Sequence, residues 1–381
     1  MRKTAVILLL ATLLLVAIGV VMLFSTSALY AREKYGDPNY LLKRQLVWLI
    51  VAAGGCVAAA TVPYPLLRKW SVPLLVLAGL LLVLVLMPQL GRRIGGARRW
   101  LVVGSLQVQP SEFAKLALIV WLAHYLAREK RRIDRFGRGF LVPMGVSAVF
   151  VCLILAEPDF GTSALVGLVA FGMLFIAGVR LAYLVPAALG ALGAFAVLIW
   201  RDPVRAERML AFLDLEKYKA GKGYQVWQAI LAFGSGGVNG LGLGNSRQKM
   251  FWLPEAHTDF IAAIIGEELG LIGMLVVLGL FAAVLGCGVV IALRTPDLNG
   301  QYLALGIVLL IALQTLINIG VVTAWLPTKG LPLPFISYGG SSLLVNLVSV
   351  GLLLSVLRYG TEQADAETQE FFAHQQEVLP L

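Results

Sequence analysis

Charge is what this sequence has least of. Only 14% of its 381 residues are charged and 59% are apolar, whereas an ordinary soluble domain is about a quarter charged. The mean hydropathy is +0.85. This shortage excludes a soluble globular protein and predicts a polytopic membrane protein. The net charge of +10 then need not indicate nucleic acid, because Lys and Arg in membrane proteins mark cytoplasmic loops and anionic headgroups.

Cysteines, repeats and cleavage signals are also scarce or absent. Cys56, Cys152 and Cys287 each lie inside an apolar run, which favours small core residues over disulfides or metal ligands. We find no internal repeat of fixed period and no stretch typical of a soluble domain. The first apolar run lacks a small-residue cleavage site, so residues 5–24 are expected to remain as the first span.

Long apolar runs are abundant. About 20 apolar residues are needed to cross a hydrocarbon core of about 30 Å. The predicted spans are 5–24, 45–62, 71–88, 110–127, 141–156, 161–178, 181–200, 258–293, 302–325 and 338–357. The eighth is long, but its middle has no turn signal beyond scattered glycines, so we interpret it as one tilted helix projecting beyond the bilayer. The predicted fold is an all-α polytopic membrane protein with about ten transmembrane helices.

The basic residues predict the orientation. With both termini in the cytoplasm, the densest basic cluster, 128–138, lies inside, as the positive-inside rule requires. Residues 201–257 then form one long extracytoplasmic loop. The transmembrane domain is expected to cover 1–360, followed by an acidic, Gln-rich cytoplasmic tail, 361–381, which we predict to be disordered.

One short outer loop breaks the positive-inside rule. Residues 89–109 contain no acid and four arginines, at positions Arg92, Arg93, Arg98 and Arg99. A functional need for cations would explain the exception.

Two polar motifs open or separate predicted spans. The fourth span begins Pro110-Ser111, which suits a helix start, and Glu112 and Lys115 are i,i+3 neighbours that can pair. A capping device with a salt bridge and a polar cavity both fit this pattern. The turn from Glu157 to Thr162 contains two carboxylates, which is more than a tight turn needs.

Three further stretches stand out in the second half of the chain. The glycines of 234–244, followed by Asn245-Ser246-Arg247, give a weak phosphate-loop signal, and a flexible linker is the commoner explanation. Residues 327–342 are rich in Pro and Gly but too apolar for an exposed loop, which indicates irregular backbone lining a cavity. Asp259 lies at the mouth of a span, where an ionisable residue is a functional candidate.

All of these motifs fall at the outer ends of predicted spans. Chance would scatter them over both faces of the membrane. We therefore predict that they face one another across a cavity at the outer side.

Together the motifs resemble the SEDS family (shape, elongation, division and sporulation proteins). The resemblance covers nearly all of residues 5–360. The sequence of residues 326–331 is more similar to that of the cell-division branch of the family than to that of the elongation branch. The matching sequences are GARRW at 96–100, QPSEFAKL at 109–116, EPDFGT at 157–162, GLGNSRQK at 242–249, LPEAHTDFI at 253–261, GEELG at 266–270 and PFISYGGSS at 334–342.

The resemblance implies a peptidoglycan glycosyltransferase that polymerises lipid II at the outer face of the bacterial cytoplasmic (inner) membrane. It implies a partner, a class B penicillin-binding protein with transpeptidase activity, among other division or elongation proteins. The Asp of the family's His-Thr-Asp-Phe motif is catalytic, and here it is Asp259. Other essential family positions match Trp100, Glu112, Lys115 and Asp159.

The chemistry that this implies needs a base and cations. Conversion of an α-linked donor into a β-linked product implies inversion by direct displacement, with Asp259 as the base that activates the acceptor hydroxyl. Candidates for the leaving pyrophosphate are the four loop arginines, helped by Arg247 or Lys249. The remaining residues predicted to bind or support substrate are His257, Lys329 and Ser337.

A metal is also an option. Mg²⁺ or Mn²⁺ could be held by Glu112 or Asp259 together with the pyrophosphate, because Mg²⁺ usually binds few carboxylates plus phosphates. No organic cofactor is expected.

Two other functions stay open at this point. A lipid II flippase would also need outer carboxylates and a lipid cavity, but should place ionisable groups through the midplane. A scaffold that only recruits the transpeptidase would tolerate loss of the Asp259 carboxylate.

Overall fold

A computed structural model describes residues 2–94, 97–104 and 106–378. These residues form twelve α-helices and one small sheet. The helices are α1 Arg2–Tyr35, α2 Tyr40–Thr61, α3 Leu67–Leu86, α4 Pro110–Arg128, α5 Val142–Ala156, α6 Phe160–Ala177, α7 Leu181–Trp200, α8 Pro203–Leu213, α9 Tyr224–Gly236, α10 Ile261–Arg294, α11 Leu298–Val322 and α12 Gly340–Val378. The strands are β1 Gly91–Ile94, β2 Ala97–Val103 and β3 Leu106–Val108.

Each predicted span contains one helix. Within the described ranges, nine helices are long and apolar enough to cross a membrane. The tenth, α4, is 19 residues long but less apolar, because it carries Glu112, Lys115 and His124. It lies in the core, packed between α3, α6 and α11, where its polar groups avoid lipid. The prediction of about ten transmembrane helices is confirmed.

The prediction of one continuous eighth span is wrong. α10 is broken at Gly270, whose φ of 65° and ψ of −164° are not helical. The broken hydrogen-bond ladder is completed by the preceding loop: Leu241 N donates to Glu267 O at 3.0 Å, and Leu271 N donates to Gly237 O at 3.0 Å. Glycine is needed at 270, since a Cβ there would lie 2.3 Å from Gly240 N.

This contact also redefines the glycine-rich run 234–244. It is not a flexible linker, because it packs in a defined conformation against α10. Its backbone approaches the break in α10 closely enough to hydrogen-bond with it on both sides.

The small sheet was not predicted. β1, β2 and β3 form an antiparallel meander between α3 and α4. Arg92 pairs with Trp100 and Arg93 pairs with Arg98, so the register shifts and leaves Arg99 as the extra residue of a β-bulge. A bulge redirects the extra side chain and is common beside active sites.

One irregular connection and the end of α12 complete the fold. Residues 323–339 between α11 and α12 lack regular structure, yet Leu331, Leu333 and Phe335 are buried. At the other end, α12 continues to Val378, so that 361–378 is helical where the composition predicts disorder. Ala, Glu and Gln, all strong helix formers, dominate that segment. Residues 379–381, the end of the predicted tail, lie outside the described part.

Candidate active site

A cavity of about 640 Å³ lies where the polar motifs meet. Its walls come from β2, the starts of α4 and α6, helix α8, the segment before α10 and the connection from α11 to α12. All of these positions lie at the end of the helix bundle opposite the N-terminus, because successive spans alternate in direction. The structure thus brings together four of the five motifs singled out in the sequence.

Asp259 is fixed through its backbone. Three successive carbonyls are each held by the connection or by α11: His257 O accepts from Tyr338 N at 3.0 Å, and Thr258 O accepts from the Ser337 hydroxyl at 2.6 Å. Asp259 O accepts from Asn318 Nδ2 at 2.8 Å, and the same amide donates to Leu331 O at 2.7 Å. Ser337, a predicted substrate-binding or supporting residue, thus contacts the backbone beside Asp259, and so does Asn318, which the sequence did not indicate.

The Asp259 carboxylate faces the cavity. It packs against Gly330, where a Cβ would lie 2.5 Å from Oδ2. The carboxylate can be reached by solvent, but protein encloses it on most sides. Its pKa is raised to about 7, first by burial and then by the nearby Glu255 and Asp159, while Arg99 opposes the shift. A carboxylate with a pKa near 7 is suited to general-base catalysis at neutral pH.

Asp159 also lines the cavity, and it caps α6. Its carboxylate accepts from Thr162 N at 3.2 Å and from the Thr162 hydroxyl at 3.0 Å. The bulged Arg99 approaches Asp159 to 4.0 Å and donates from Nε to Glu157 O at 3.2 Å. A cap alone would explain the carboxylate, but Asp159 and Arg99 are both cavity residues.

The neighbouring Glu157 has a different position. It is fully buried, neither carboxylate oxygen has a partner among the described residues, and it does not line the cavity. Burial, followed by the nearby Asp159, raises its pKa to about 8. Glu157 is therefore mostly protonated at neutral pH.

Glu112 and Lys115 form the predicted pair. The two side chains are buried, with Lys115 Nζ 2.9 Å from Glu112 Oε1 and 3.1 Å from Gln314 Oε1. Glu112 lines the cavity, and its Oε2 has no partner in the described residues. Gln314 in turn donates to Pro332 O at 2.8 Å. The pair thus links α4 to α11 and to the irregular connection.

A cationic wall contains residues that the sequence did not reveal. Arg205 and Arg208 of α8 line the cavity together with the predicted Lys329 and with Arg99. The Asp202-Pro203 pair, a helix-start signal, could have indicated α8. Asp202 does cap this helix, accepting from Val204 N at 3.0 Å. Nothing in the sequence marks which side of α8 faces the cavity.

Several predicted residues lie elsewhere. Trp100, Arg99 and Lys329 do line the cavity. Among the described residues, the cavity lining does not include Arg92, Arg93 or Arg98. The same holds for Lys115, Arg247, Lys249, His257 and Ser337. The His257 ring packs against the Tyr30 ring in a tilted arrangement, with centroids 4.9 Å apart, and the pKa of His257 is lowered mainly by burial.

The Lys249 side chain and the Arg247 backbone contact a second, buried cluster. Lys249 Nζ lies 2.8 Å from Glu268 Oε1 and 3.0 Å from the Ser25 hydroxyl of α1. Glu267 accepts from Arg247 N at 3.0 Å and from Gln248 N at 3.4 Å. The acidic pair therefore anchors the loop that leads to Asp259, and the Arg247 side chain is exposed.

The protein alone does not assemble a metal site in the described ranges. No group of three or more His, Cys, Asp or Glu side chains there could hold a metal ion.

Comparison with known proteins defines the class. The model of the FtsW/RodA/SpoVE family, described as cell cycle proteins, matches residues 5–362. The chain therefore belongs to this family, which is the SEDS family indicated by its motifs.

Individual relatives are similar over almost the whole chain. The probable peptidoglycan glycosyltransferase FtsW of Trichlorobacter lovleyi is 43% identical over 350 residues, covering 92% of each protein. Stage V sporulation protein E of Bacillus subtilis is 43% identical over 360 residues, covering 94% of this chain and 98% of the relative. The chain is thus more similar in sequence to this FtsW than to RodA, as the sequence of residues 326–331 predicts.

Solved structures show the same fold. A chain from the structure titled "Structural coordination of polymerization and crosslinking by a peptidoglycan synthase complex" matches with a TM-score of 0.74 and 30% identity, covering 93% of this chain and 97% of that one. The crystal structure of Thermus thermophilus RodA matches with a TM-score of 0.69 and 31% identity, covering 92% and 95%.

Proposed function

We propose that this protein is a peptidoglycan glycosyltransferase that polymerises lipid II at the outer face of the bacterial cytoplasmic membrane. The observation that carries the proposal is the Asp259 carboxylate, enclosed in a charged cavity with its pKa raised to about 7. Names of relatives support the activity, since FtsW of Trichlorobacter lovleyi is called a probable peptidoglycan glycosyltransferase.

In the proposed reaction, Asp259 is the general base. A sugar hydroxyl is a poor nucleophile at neutral pH, and a positioned base contributes about 10²- to 10⁴-fold. Asp259 takes the proton of the acceptor hydroxyl while that oxygen attacks the anomeric carbon of the donor. The bond from this carbon to the undecaprenyl pyrophosphate breaks, and its electron pair leaves on the pyrophosphate oxygen. One displacement inverts the configuration.

The backbone contacts hold the base in place. The amide of Asn318 and the hydroxyl of Ser337 fix the carbonyls of the segment that carries Asp259. Because Gly330 has no side chain, the carboxylate can lie against the irregular connection without a clash. Such fixed geometry keeps the base within reach of the bound hydroxyl.

A divalent cation remains part of the proposal. Of the two predicted ligands, Glu112 fits better, since its Oε2 has no hydrogen-bond partner among the described residues while Oε1 accepts from Lys115. Substrate phosphate oxygens would complete the shell, as is usual for Mg²⁺. When bound, the cation would neutralise charge on the leaving group.

We further propose a transpeptidase partner. One structural relative belongs to a peptidoglycan synthase complex that is described as coordinating polymerisation and crosslinking. A class B penicillin-binding protein is the partner that supplies crosslinking chemistry, and other division or elongation proteins would surround the pair.

The test is polymerisation of lipid II by the purified protein with its partner in detergent. Asp259→Asn keeps the size of the side chain and removes the base, so we expect a loss of at least about 10²-fold in rate. Glu216→Gln, an exposed charge on the same outer loop, is the matched control and should polymerise normally. Strand synthesis by Asp259→Asn at the wild-type rate would remove Asp259 from the base role.

The same assay separates the proposed activity from both alternatives. A flippase needs a membrane to act across, so it would show no polymerisation in detergent. A scaffold would leave polymerisation to another protein, and wild-type and Asp259→Asn preparations would then be equally inactive.

A further inference from the structure

Three cations converge on one wall of the cavity. Arg205 and Arg208 lie one turn apart on α8, and Lys329 comes from the connection between α11 and α12. Arg205 pairs with Asp202, with Nε and Oδ2 2.9 Å apart. For Arg208 and Lys329 no ion pair within 4.0 Å is found in the described residues. The wall therefore has a surplus of positive charge.

An aromatic ring contacts two of these cations. Arg205 Cζ lies 3.5 Å from the centroid of the Phe160 ring, and Lys329 Nζ lies 4.9 Å from the same centroid. Lys329 is also 5.9 Å from the Phe195 ring. The negative face of an aromatic ring attracts cations. Phe160 thus contacts both cations and partly offsets their mutual repulsion.

The surroundings of Lys329 destabilise its charged form. Its pKa is lowered to about 8, first by burial and then by Arg208 and Arg205, while Asp159 opposes the shift and Arg99 adds to it. Bringing a polyanion into the wall would relieve this repulsion. The site is therefore electrostatically prepared for an anionic ligand.

We propose that Arg205, Arg208 and Lys329 form the subsite for the diphosphate group of the lipid-linked donor. This inference rests on the proposed function. A diphosphate, with two or more negative charges, matches three cations better than a phosphodiester headgroup does, and Arg forks bind phosphate oxygens in pairs. The cations stabilise the electron pair that the diphosphate oxygen receives when its bond to the anomeric carbon breaks.

The position of the subsite fits this role. Lys329 is followed by Gly330, against which the Asp259 carboxylate packs. Diphosphate on the cationic wall therefore lies in the same cavity as the base, and the anomeric carbon next to the diphosphate is near Asp259. The inference also moves the phosphate site from Arg92, Arg93 and Arg98 to α8 and the irregular connection.

Direct binding of undecaprenyl diphosphate to the purified full chain in detergent tests the proposal. Arg208→Gln and Lys329→Gln should each weaken binding by about ten- to a hundred-fold, as expected for loss of one charged hydrogen bond. Arg201→Gln removes the same charge from an exposed position outside the cavity lining, and should bind normally. Unchanged affinity in the two cavity variants would overturn the proposal.

Two other ligands separate possible sources of phosphate. Undecaprenyl monophosphate and phosphatidylglycerol should bind the wild type at least about tenfold more weakly than the diphosphate. Equal affinity for phosphatidylglycerol would identify a general headgroup site and reject the diphosphate assignment.

The pH dependence gives a readout that misfolding cannot imitate. Lys329 faces Arg205 and Arg208 from α8, Asp159 from the turn before α6, Arg99 from β2 and, beside Gly330, Asp259. Because Lys329 is charged only below its pKa, wild-type affinity should fall as pH rises above about 8. Lys329→Arg stays charged and should keep its affinity to pH 9. A parallel fall in this variant would contradict the assigned role of Lys329.

The outcome is separable from that of the proposed base. Asp259→Asn should bind undecaprenyl diphosphate at least as tightly as the wild type, because it removes a negative charge beside the anion, while failing to polymerise. If Asp259→Asn polymerises but Arg208→Gln does not bind, the base is rejected and the subsite stands. If Arg208→Gln and Lys329→Gln bind normally, the subsite is rejected whatever the activity of Asp259→Asn.

Discussion

Asp259 titrates near neutrality because of its surroundings. Burial, Glu255 and Asp159 all disfavour its charged form, and only Arg99 favours it. Below about pH 7 the carboxylate is protonated and cannot accept a proton from the acceptor hydroxyl. The polymerisation rate should therefore rise as pH increases through about 7.

Glu255→Gln tests this electrostatic account. The substitution removes a negative neighbour but keeps an oxygen for the Thr258 hydroxyl, which now donates to Glu255 Oε2 at 2.7 Å. The pKa of Asp259 should fall, so the acidic limb of the pH–rate profile should move to lower pH. Glu216→Gln, at an exposed position outside the cavity lining, should leave the limb in place. An unmoved limb in Glu255→Gln would show that Glu255 does not influence the base.

At this scale the sequence was informative where a motif fixes a side chain locally. Asp259, Asp159, Glu112 and Trp100 were predicted, and each lines the cavity. The four loop arginines could not be distinguished, because their sequence contexts are alike. Only the register of the sheet, which makes Arg99 the bulged residue, separates it from the others.

Among the elements, α10 departs most from its predicted form. Its apolar run predicts a span, but the break depends on partners from a loop about 30 residues earlier in the chain. Local propensity contains no such information, since an isolated glycine is tolerated within a helix. Similarly, the charges of α8 are typical of a solvated helix, and tertiary packing alone turns Arg205 and Arg208 into the cavity.

Gly270→Ala should destabilise the protein. A backbone with φ 65° and ψ −164° is almost exclusive to glycine and costs about 1–3 kcal/mol for other residues. The added Cβ would also meet Gly240 N at 2.3 Å and Val238 O at 2.5 Å. A lower midpoint of thermal unfolding in detergent is the expected result.

Gly279→Ala in the same helix is the matched control. A Cβ added at this position would have no atom within 4 Å, and the φ of Gly279 is ordinary, so alanine should be neutral or slightly stabilising. Equal melting of the two variants would argue against a required break at Gly270.

For the whole molecule, the orientation decides whether the cavity faces the substrate. Ten spans place 128–138 and the cavity at opposite ends of the bundle. The positive-inside rule assigns the basic cluster to the cytoplasm. The spans and this asymmetry were readable from the sequence because they depend on composition over about 20 residues, whereas the cavity walls depend on contacts between remote segments.

Cysteine labelling checks the orientation. In a variant with Cys56, Cys152 and Cys287 replaced by serine, Arg201→Cys should react with a membrane-impermeant maleimide on intact spheroplasts. Arg131→Cys, also exposed, should react only after permeabilisation. The opposite pattern would place the cavity in the cytoplasm and contradict the proposed function.

The loop inserted at the break in α10 has an evolutionary consequence. Its contacts with the helix use main-chain atoms of Gly237, Val238 and Leu241, so drift can exchange the side chains of Val238 and Leu241 at little cost. Gly240 and Gly270 cannot drift in the same way, since a Cβ on either would lie within 2.3 Å of the other segment. Selection at this junction therefore acts mainly on the length of the loop and on the positions of its glycines, and only weakly on the side chains at Val238 and Leu241.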